Sequence, residues 1–165
     1  MKERDIILNH EQIQHKIKRI AYQIYETNVN ETELIIAGIA NNGYIFAERL
    51  YKELTEISEI KVSLCKITMN KKNPLNTVKT DLNLDNFNNK AIVIADDVLS
   101  SGTTLMYAVQ HLLNVPLKRL KTTVLVNRNH KKFPVKADFK GLSLSTSSHN
   151  NVEVVFGDSD TVYLT

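Results

Sequence analysis

Residues 91–104, AIVIADDVLSSGTT, run an apolar stretch into two carboxylates and then into a turn of small hydroxyl residues around one glycine. Positions 91–95 are apolar without interruption, the pattern of a strand buried on both faces and hence of a parallel sheet with helices on either side. After the turn, Leu105, Met106, Val109, Leu112 and Leu113 recur at helical spacing and predict a helix over 102–114, ended ahead of Pro116. At such a helix start the first backbone N–H groups, from about Ser101 to Thr104, lack partners and carry the positive end of the dipole, which makes a cradle for an anion. Gly102 permits close approach, and Ser101, Thr103 and Thr104 add hydroxyl donors. Asp96 and Asp97, just ahead of the cradle, can accept hydrogen bonds from a vicinal diol and can hold Mg2+. A diol beside a 5′-phosphate is a pentose phosphate, and the absence of lysine from the turn suits a phosphate that is held rather than transferred.

Outward from this stretch the strand–helix alternation continues. Upstream, LIIAGIA at 34–40 is a short apolar run closed by Asn41-Asn42-Gly43, a second buried strand, and Phe46, Leu50 and Leu54 predict a helix over 44–55. Ile13, Ile17, Ile20, Ala21 and Ile24 make 11–26 an amphipathic first helix with Asn9 as its N-cap. Residues 60–68 and 121–126 read as further strands, and beyond 127 short β-like pieces at 138–144, 152–156 and 161–164 are split by polar turns. Residues 69–90 are Asn-rich and aperiodic, too long for a routine connection, and predict a flexible lid. The expected fold is α/β, a mostly parallel central sheet with helices on both faces, whose ligands bind beyond the carboxyl ends of the strands.

The chain has 165 residues, 42% hydrophobic and 24% charged, with five Gly and three Pro, which predicts a single domain over 1–165 and excludes disordered and low-complexity classes. A net charge of +3 is too mild to mark a nucleic-acid binder by bulk electrostatics, so a basic footprint must be local. Arg128, His130, Lys131, Lys132, Lys136 and Lys140 form such a cluster. Cys65, the single cysteine, lies in the strand at 60–68 and reads as a small buried apolar residue. The apolar runs fall far short of the roughly 20 residues that span a bilayer, and the charged N-terminus has no h-region; a cytoplasmic, reducing location is expected. Gly38 and Gly43 have P-loop spacing, but Tyr44-Ile45 stand where its Lys and Ser/Thr are needed. The histidines, His10, His15, His111, His130 and His149, lack metal-ligand spacing.

Two acidic residues, two apolar ones and a Ser-Gly-x-Thr turn resemble the phosphoribosyl-pyrophosphate signature of the type I phosphoribosyltransferases. Within that family the chain is similar to the pyrimidine-operon attenuator and uracil phosphoribosyltransferase group (PyrR), through IILNHEQI, KRIAYQI, AGIANNGYIFAERL, KITMNK, VLVNRNHKKFPVKADFKG and the following STS. The resemblance implies Mg2+-dependent transfer of the 5-phosphoribosyl group from phosphoribosyl pyrophosphate to a nucleobase, with uracil favoured, by a homo-oligomer with a small base-covering hood. It implies that Asp96 and Asp97 hold the metal and the ribose diol, and that Ser101, Gly102, Thr103 and Thr104 hold the 5′-phosphate. It places Ser100 where 6-oxopurine transferases carry a base-contacting Asp. It makes Ala40, Asn41, Asn42 and Gly43 the pyrophosphate loop, and 69–82 the lid, with the catalytic Lys71 where the family has Arg. The base pocket is expected over 139–146, beginning at Phe139, within a region 127–165 of pocket and C-terminal β pieces, and Arg128 joins the substrate-binding set.

Departures from the group carry their own implications. Ala40 and Asn42 are neutral where the pyrimidine relatives carry basic residues, the lid is shorter and Asn70 replaces an aromatic, which together imply weak turnover. A second reading therefore stands beside the enzyme, a nucleotide-responsive RNA-binding attenuation regulator with little activity, its phosphate contacts made by the basic cluster. On that surface Lys18 and Tyr22 stand where the group carries Thr and His, and Ser148 where a basic residue is expected. No membrane partner is expected.

Overall fold

The computed structural model describes residues 4–75 and 77–165; residues 1–3 and Asn76, which falls within the expected lid, lie outside the described residues. In chain order these form β1 (Asp5–Leu8), α1 (His10–Thr27), β2 (Glu33–Ile39), α2 (Asn42–Ile57), β3 (Lys61–Thr68) and β4 (Lys79–Thr80). A 3-10 turn at Leu84–Phe87 leads to β5 (Ala91–Leu99), α3 (Thr103–Leu112), β6 (Arg119–Asn127), β7 (Phe139–Ser143), β8 (Val152–Val155) and β9 (Thr161–Leu164).

The uninterrupted apolar strands demand cover on both faces and receive it. The main sheet runs β4-β3-β2-β5-β6-β7, with β3, β2, β5, β6 and β7 mutually parallel and β4 an antiparallel edge. β2 lies at its centre, where Ala37 pairs with Cys65 on one side and Ile94 on the other. On one face Ile13, Ile17, Ile20 and Ile24 of α1 and Phe46, Leu50 and Leu54 of α2 pack with Leu34, Ile36 and Val93. The opposite face buries Leu105, Ala108 and Leu112 of α3 with Ile35, Ile39, Ile67, Ile92 and Ile94. Each such Ile or Leu contributes about 1.5–3 kcal/mol by leaving water. The predicted cap holds: the Asn9 side chain accepts from the Gln12 N–H, and the Gln12 side chain accepts from the Asn9 N–H.

A second, three-stranded antiparallel sheet, β1-β9-β8, forms a hood beside the main one. Its anchor is Asp160, fully buried, whose carboxylate accepts two hydrogen bonds from Arg49 on α2 (2.6 and 3.1 Å), one from Gln14 on α1 (2.7 Å) and one from the Gly157 N–H. Burial alone would raise this carboxyl, but the Gly157 N–H and the Arg49 guanidinium outweigh it and hold Asp160 below the ordinary carboxylate value.

Three sequence expectations change in extent. β5 continues past residue 95 through both aspartates to Leu99, because the ladder to β6 persists, with Asp96 opposite Val124 and Leu99 opposite Asn127. Residues 69–90 are not one lid: β4 pairs with the end of β3, and the fully buried Phe87 enters the α3-side core. β1, in the charged N-terminal stretch, was not expected at all. Cys65 is buried as expected, and burial pushes its thiol up to about 12, away from thiolate chemistry. No helix among the described residues is long and apolar enough to cross a membrane.

Candidate active site

The carboxyl ends of β2, β5 and β6 meet the starts of α2 and α3, and the signature residues converge there. Gly102 begins α3 with φ of 85°, a left-handed conformation that favours glycine, and a Cβ there would also lie 2.6 Å from Val135. No side chain caps the helix at Gly102, although Ser101 Oγ accepts a long 3.3 Å bond from the Thr103 N–H and shares a 2.9 Å bond with Thr103 Oγ1. Asp96, Ser100, Ser101, Gly102 and Thr104 line a cavity of about 90 Å³, floored by Leu99, Leu105 and Val124. A small space thus sits before an uncapped helix start, where backbone N–H groups without partners can take an anion.

Asp96 and Asp97 diverge because successive strand residues point in opposite directions. Asp96 is 4% exposed and lines the cavity, while Asp97 accepts a 3.2 Å hydrogen bond from the Asn42 side chain at the start of α2. Burial, and then the neighbouring Asp97, push the Asp96 carboxyl well above the ordinary value, which Lys71 partly offsets. The Lys71 ammonium lies 3.6 Å from Asp96 Oδ1. It is placed there by a turn in which Asn70 Oδ1 accepts the N–H groups of Lys72 and Asn73 (3.0 and 3.2 Å). The carboxylate oxygens of Asp96 and Asp97 are a donor set that fits Mg2+, which needs few protein carboxylates because it keeps waters and shares substrate phosphates.

Gly43 is required by contact rather than by φ. A Cβ there would lie 2.9 Å from the Ala95 carbonyl and from both Cα and Oδ1 of Asp96, so α2 can start against β5 only without a side chain. In the preceding loop the Ala40 N–H donates to the Ile67 carbonyl (2.9 Å), the Ala40-Asn41 peptide is cis, and α2 begins without a side-chain cap at Asn41.

The expected site residues do not all line this cavity: Lys71 and Asn42 reach Asp96 and Asp97 respectively, Arg128 meets it only through Ser100, and Phe139 lies away from it. Phe139 stands at the first position of β7, opposite Thr123, far along the strand from its carboxyl end, and is 8% exposed within the α1–α2 core. Arg128 is 9% exposed and its guanidinium is committed to the protein. It donates to Thr146 Oγ1 (3.0 Å), Ser100 Oγ (3.3 Å) and the carbonyls of Ser147 and Asn150, which ties the 146–150 loop to the signature turn. It is therefore no member of the exposed basic cluster, in which Lys131, Lys132, Lys136 and Lys140 are exposed and His130 turns back to the Thr146 carbonyl (2.7 Å). Sequence reasoning missed Asp160, hidden in a polar turn, and Asp81, which accepts the Lys66 N–H (2.8 Å) and fixes the return of the lid segment on β3. Neither is announced by a local pattern, since Asp160 acts on Arg49 and Gln14 and Asp81 on Lys66, all distant in sequence.

The chain matches the phosphoribosyl transferase domain family over residues 3–161. It is 32% identical over 160 residues to the bifunctional protein PyrR of Haemophilus ducreyi, covering 90% of this chain and 88% of that one. To the bifunctional protein PyrR of Bacillus cereus it is 29% identical over 171 residues, covering 97% and 94%. Among solved structures, a hypoxanthine-guanine phosphoribosyltransferase from Bacillus anthracis superposes with a TM-score of 0.72 at 24% identity, covering 85% of this chain and 82% of that one. The hypoxanthine phosphoribosyltransferase of Trypanosoma cruzi gives 0.75 at 19% identity, covering 92% and 85%. At these identities the two superpositions speak for a shared fold.

Proposed function

Because the chain belongs to the phosphoribosyltransferase family, in the group of the bifunctional PyrR proteins, we propose that it transfers the 5-phosphoribosyl group of phosphoribosyl pyrophosphate to uracil. The observation that carries this reading is the buried Asp96 at the rim of a small cavity before the uncapped start of α3. In the reaction a base nitrogen attacks C1 of the ribose, the N–C1 bond forms as the bond from C1 to the pyrophosphate oxygen breaks, and the base gives up its N–H proton. The products are the nucleoside monophosphate and pyrophosphate. Asp96 and Asp97 would hold Mg2+, which when bound supplies positive charge against the developing pyrophosphate.

The chain's own residues do the remaining work by holding and screening. Ser101, Gly102, Thr103 and Thr104 take the 5′-phosphate on backbone and hydroxyl donors, and the two aspartates accept from the ribose diol. Lys71, already against Asp96, is the lid cation that can turn to the leaving group once substrate charge replaces the aspartate. The pyrophosphate loop of Ala40, Asn41, Asn42 and Gly43 brings no charge, so turnover is slow. Asp97→Asn is expected to weaken phosphoribosyl pyrophosphate binding by about 10–100-fold at fixed Mg2+. Calorimetry reads this directly, and unchanged affinity would remove the site assignment.

The second activity proposed is RNA binding, and the exposed Lys131, Lys132, Lys136 and Lys140 beyond the site favour it. These cations can neutralise phosphates, so retention of RNA should fall steeply with salt and differ among RNA sequences. Salt-insensitive, sequence-blind retention would argue against it. We propose further that the chain works as a single domain in a homo-oligomer in the cytoplasm.

A further inference from the structure

We propose that Asn42 is a positioning residue rather than a pyrophosphate ligand, a latch that registers the hood against Asp97. One side-chain NH2 group makes two bonds: it donates to Asp97 Oδ2 (3.2 Å) and to the Val154 carbonyl of β8 (2.9 Å). Both hydrogens of the amide are thereby used, and an amide is the right group for the place. A carboxylate would repel both acceptors, and a lysine would bring charge without the planar fork. The bond fixes one oxygen of Asp97 and leaves Oδ1 without a protein donor among the described residues, free for a metal or a ribose hydroxyl. In the turn that follows Val155 on the same β8–β9 hairpin, the hood is also held by the buried Asp160 with Arg49, Gln14 and Gly157. The β8–β9 hairpin is thus stapled to α1 and α2 by Asp160, and Asn42 adds a separate tie from Val154 to the Asp97 carboxylate.

The kinetic consequence rests on the phosphoribosyltransferase reading; the structural one does not. Two variants separate a latch from a space-filling residue. Asn42→Ala removes both bonds, and Asn42→Asp keeps the shape but reverses the polarity next to Asp97. In ligand-free protein, amide hydrogen exchange of residues 152–155 is expected to rise about tenfold in both variants, with the amides of β2 as unchanged internal references. KM for phosphoribosyl pyrophosphate should rise by a similar factor, more in Asn42→Asp than in Asn42→Ala, with kcat moved less. A space-filling role predicts the opposite ranking, with Asn42→Asp close to wild type. That ranking, or unchanged exchange at 152–155 in both variants, would overturn the proposal. A wild-type chain that transferred ribosyl phosphate to no base would count against the function proposed above, and the exchange result would still decide the latch.

Discussion

Asp96 and Asp97 are neighbours in the chain with separate environments, one buried over the cavity before α3 and the other bonded to the first residue of α2. The raised Asp96 carboxyl must lose its proton to take up a cation, so affinity for Mg2+ with phosphoribosyl pyrophosphate should rise as pH climbs from the ordinary carboxylate range through neutrality. Calorimetry in buffers of different ionisation enthalpy should register proton release on binding, and Asp96→Asn should abolish it; release that persists in the variant would assign the proton elsewhere. Gly43→Ala makes an independent test of the same spot. The added methyl meets the Ala95 carbonyl and Asp96 at 2.9 Å, and the expected cost is about 1–3 kcal/mol in denaturant unfolding, together with weaker ligand binding. A variant as stable as the parent would mean that α2 does not start against β5.

The elements divide into a rigid frame and an attached hood, and the staple between them has a defined pH sign. Asp160 sits below its unfolded value of about 3.9, so the unfolded chain binds more protons in acid. Its stabilisation is full above that unfolded value and is lost as pH falls through the lowered folded one. Asp160→Asn should therefore cost about 2 kcal/mol at neutral pH and flatten the acid limb of the stability curve; an unaltered acid limb would deny the staple. Phe87→Ala should cost about 3–5 kcal/mol, whereas Leu75→Ser, at a side chain 80% exposed, should cost little, which locates the boundary of the lid inside 69–90. The apolar runs of β2 and β5 were legible because a strand buried on both faces leaves no polar position to obscure it. The end of β5 was not, since its two aspartates break the apolar pattern while the backbone ladder continues to Leu99. β1 and β4, four and two residues long, carry too little periodicity to read, and Phe87 is one aromatic in a polar run that declares itself only when folded.

Across the whole molecule, the end of the central strand, the acidic pair and the start of α3 were legible from one local stretch, because they are contiguous in the chain. Long-range commitments were not legible. Arg128 reads as a free cation until the 146–150 loop folds over it, and Phe139 reads as a pocket wall until α1 covers it. The same distinction governs charge. A net +3 is spread so that the described cations nearest the cavity are few, while exposed lysines gather on the 131–140 segment. Phosphoribosyl transfer and RNA retention should therefore separate: replacing Lys131, Lys132 and Lys136 together by alanine is expected to reduce the salt slope of RNA retention by about 2–3 and to leave nucleotide formation unchanged. Equal loss of both would place the lysines in the active site. The most direct test of the account is a panel of uracil, adenine, hypoxanthine, guanine and xanthine incubated with phosphoribosyl pyrophosphate and Mg2+ and scored by nucleotide and pyrophosphate formed. The account predicts uridine monophosphate from uracil in excess over every purine product, and absence of nucleotide from all five bases would contradict it.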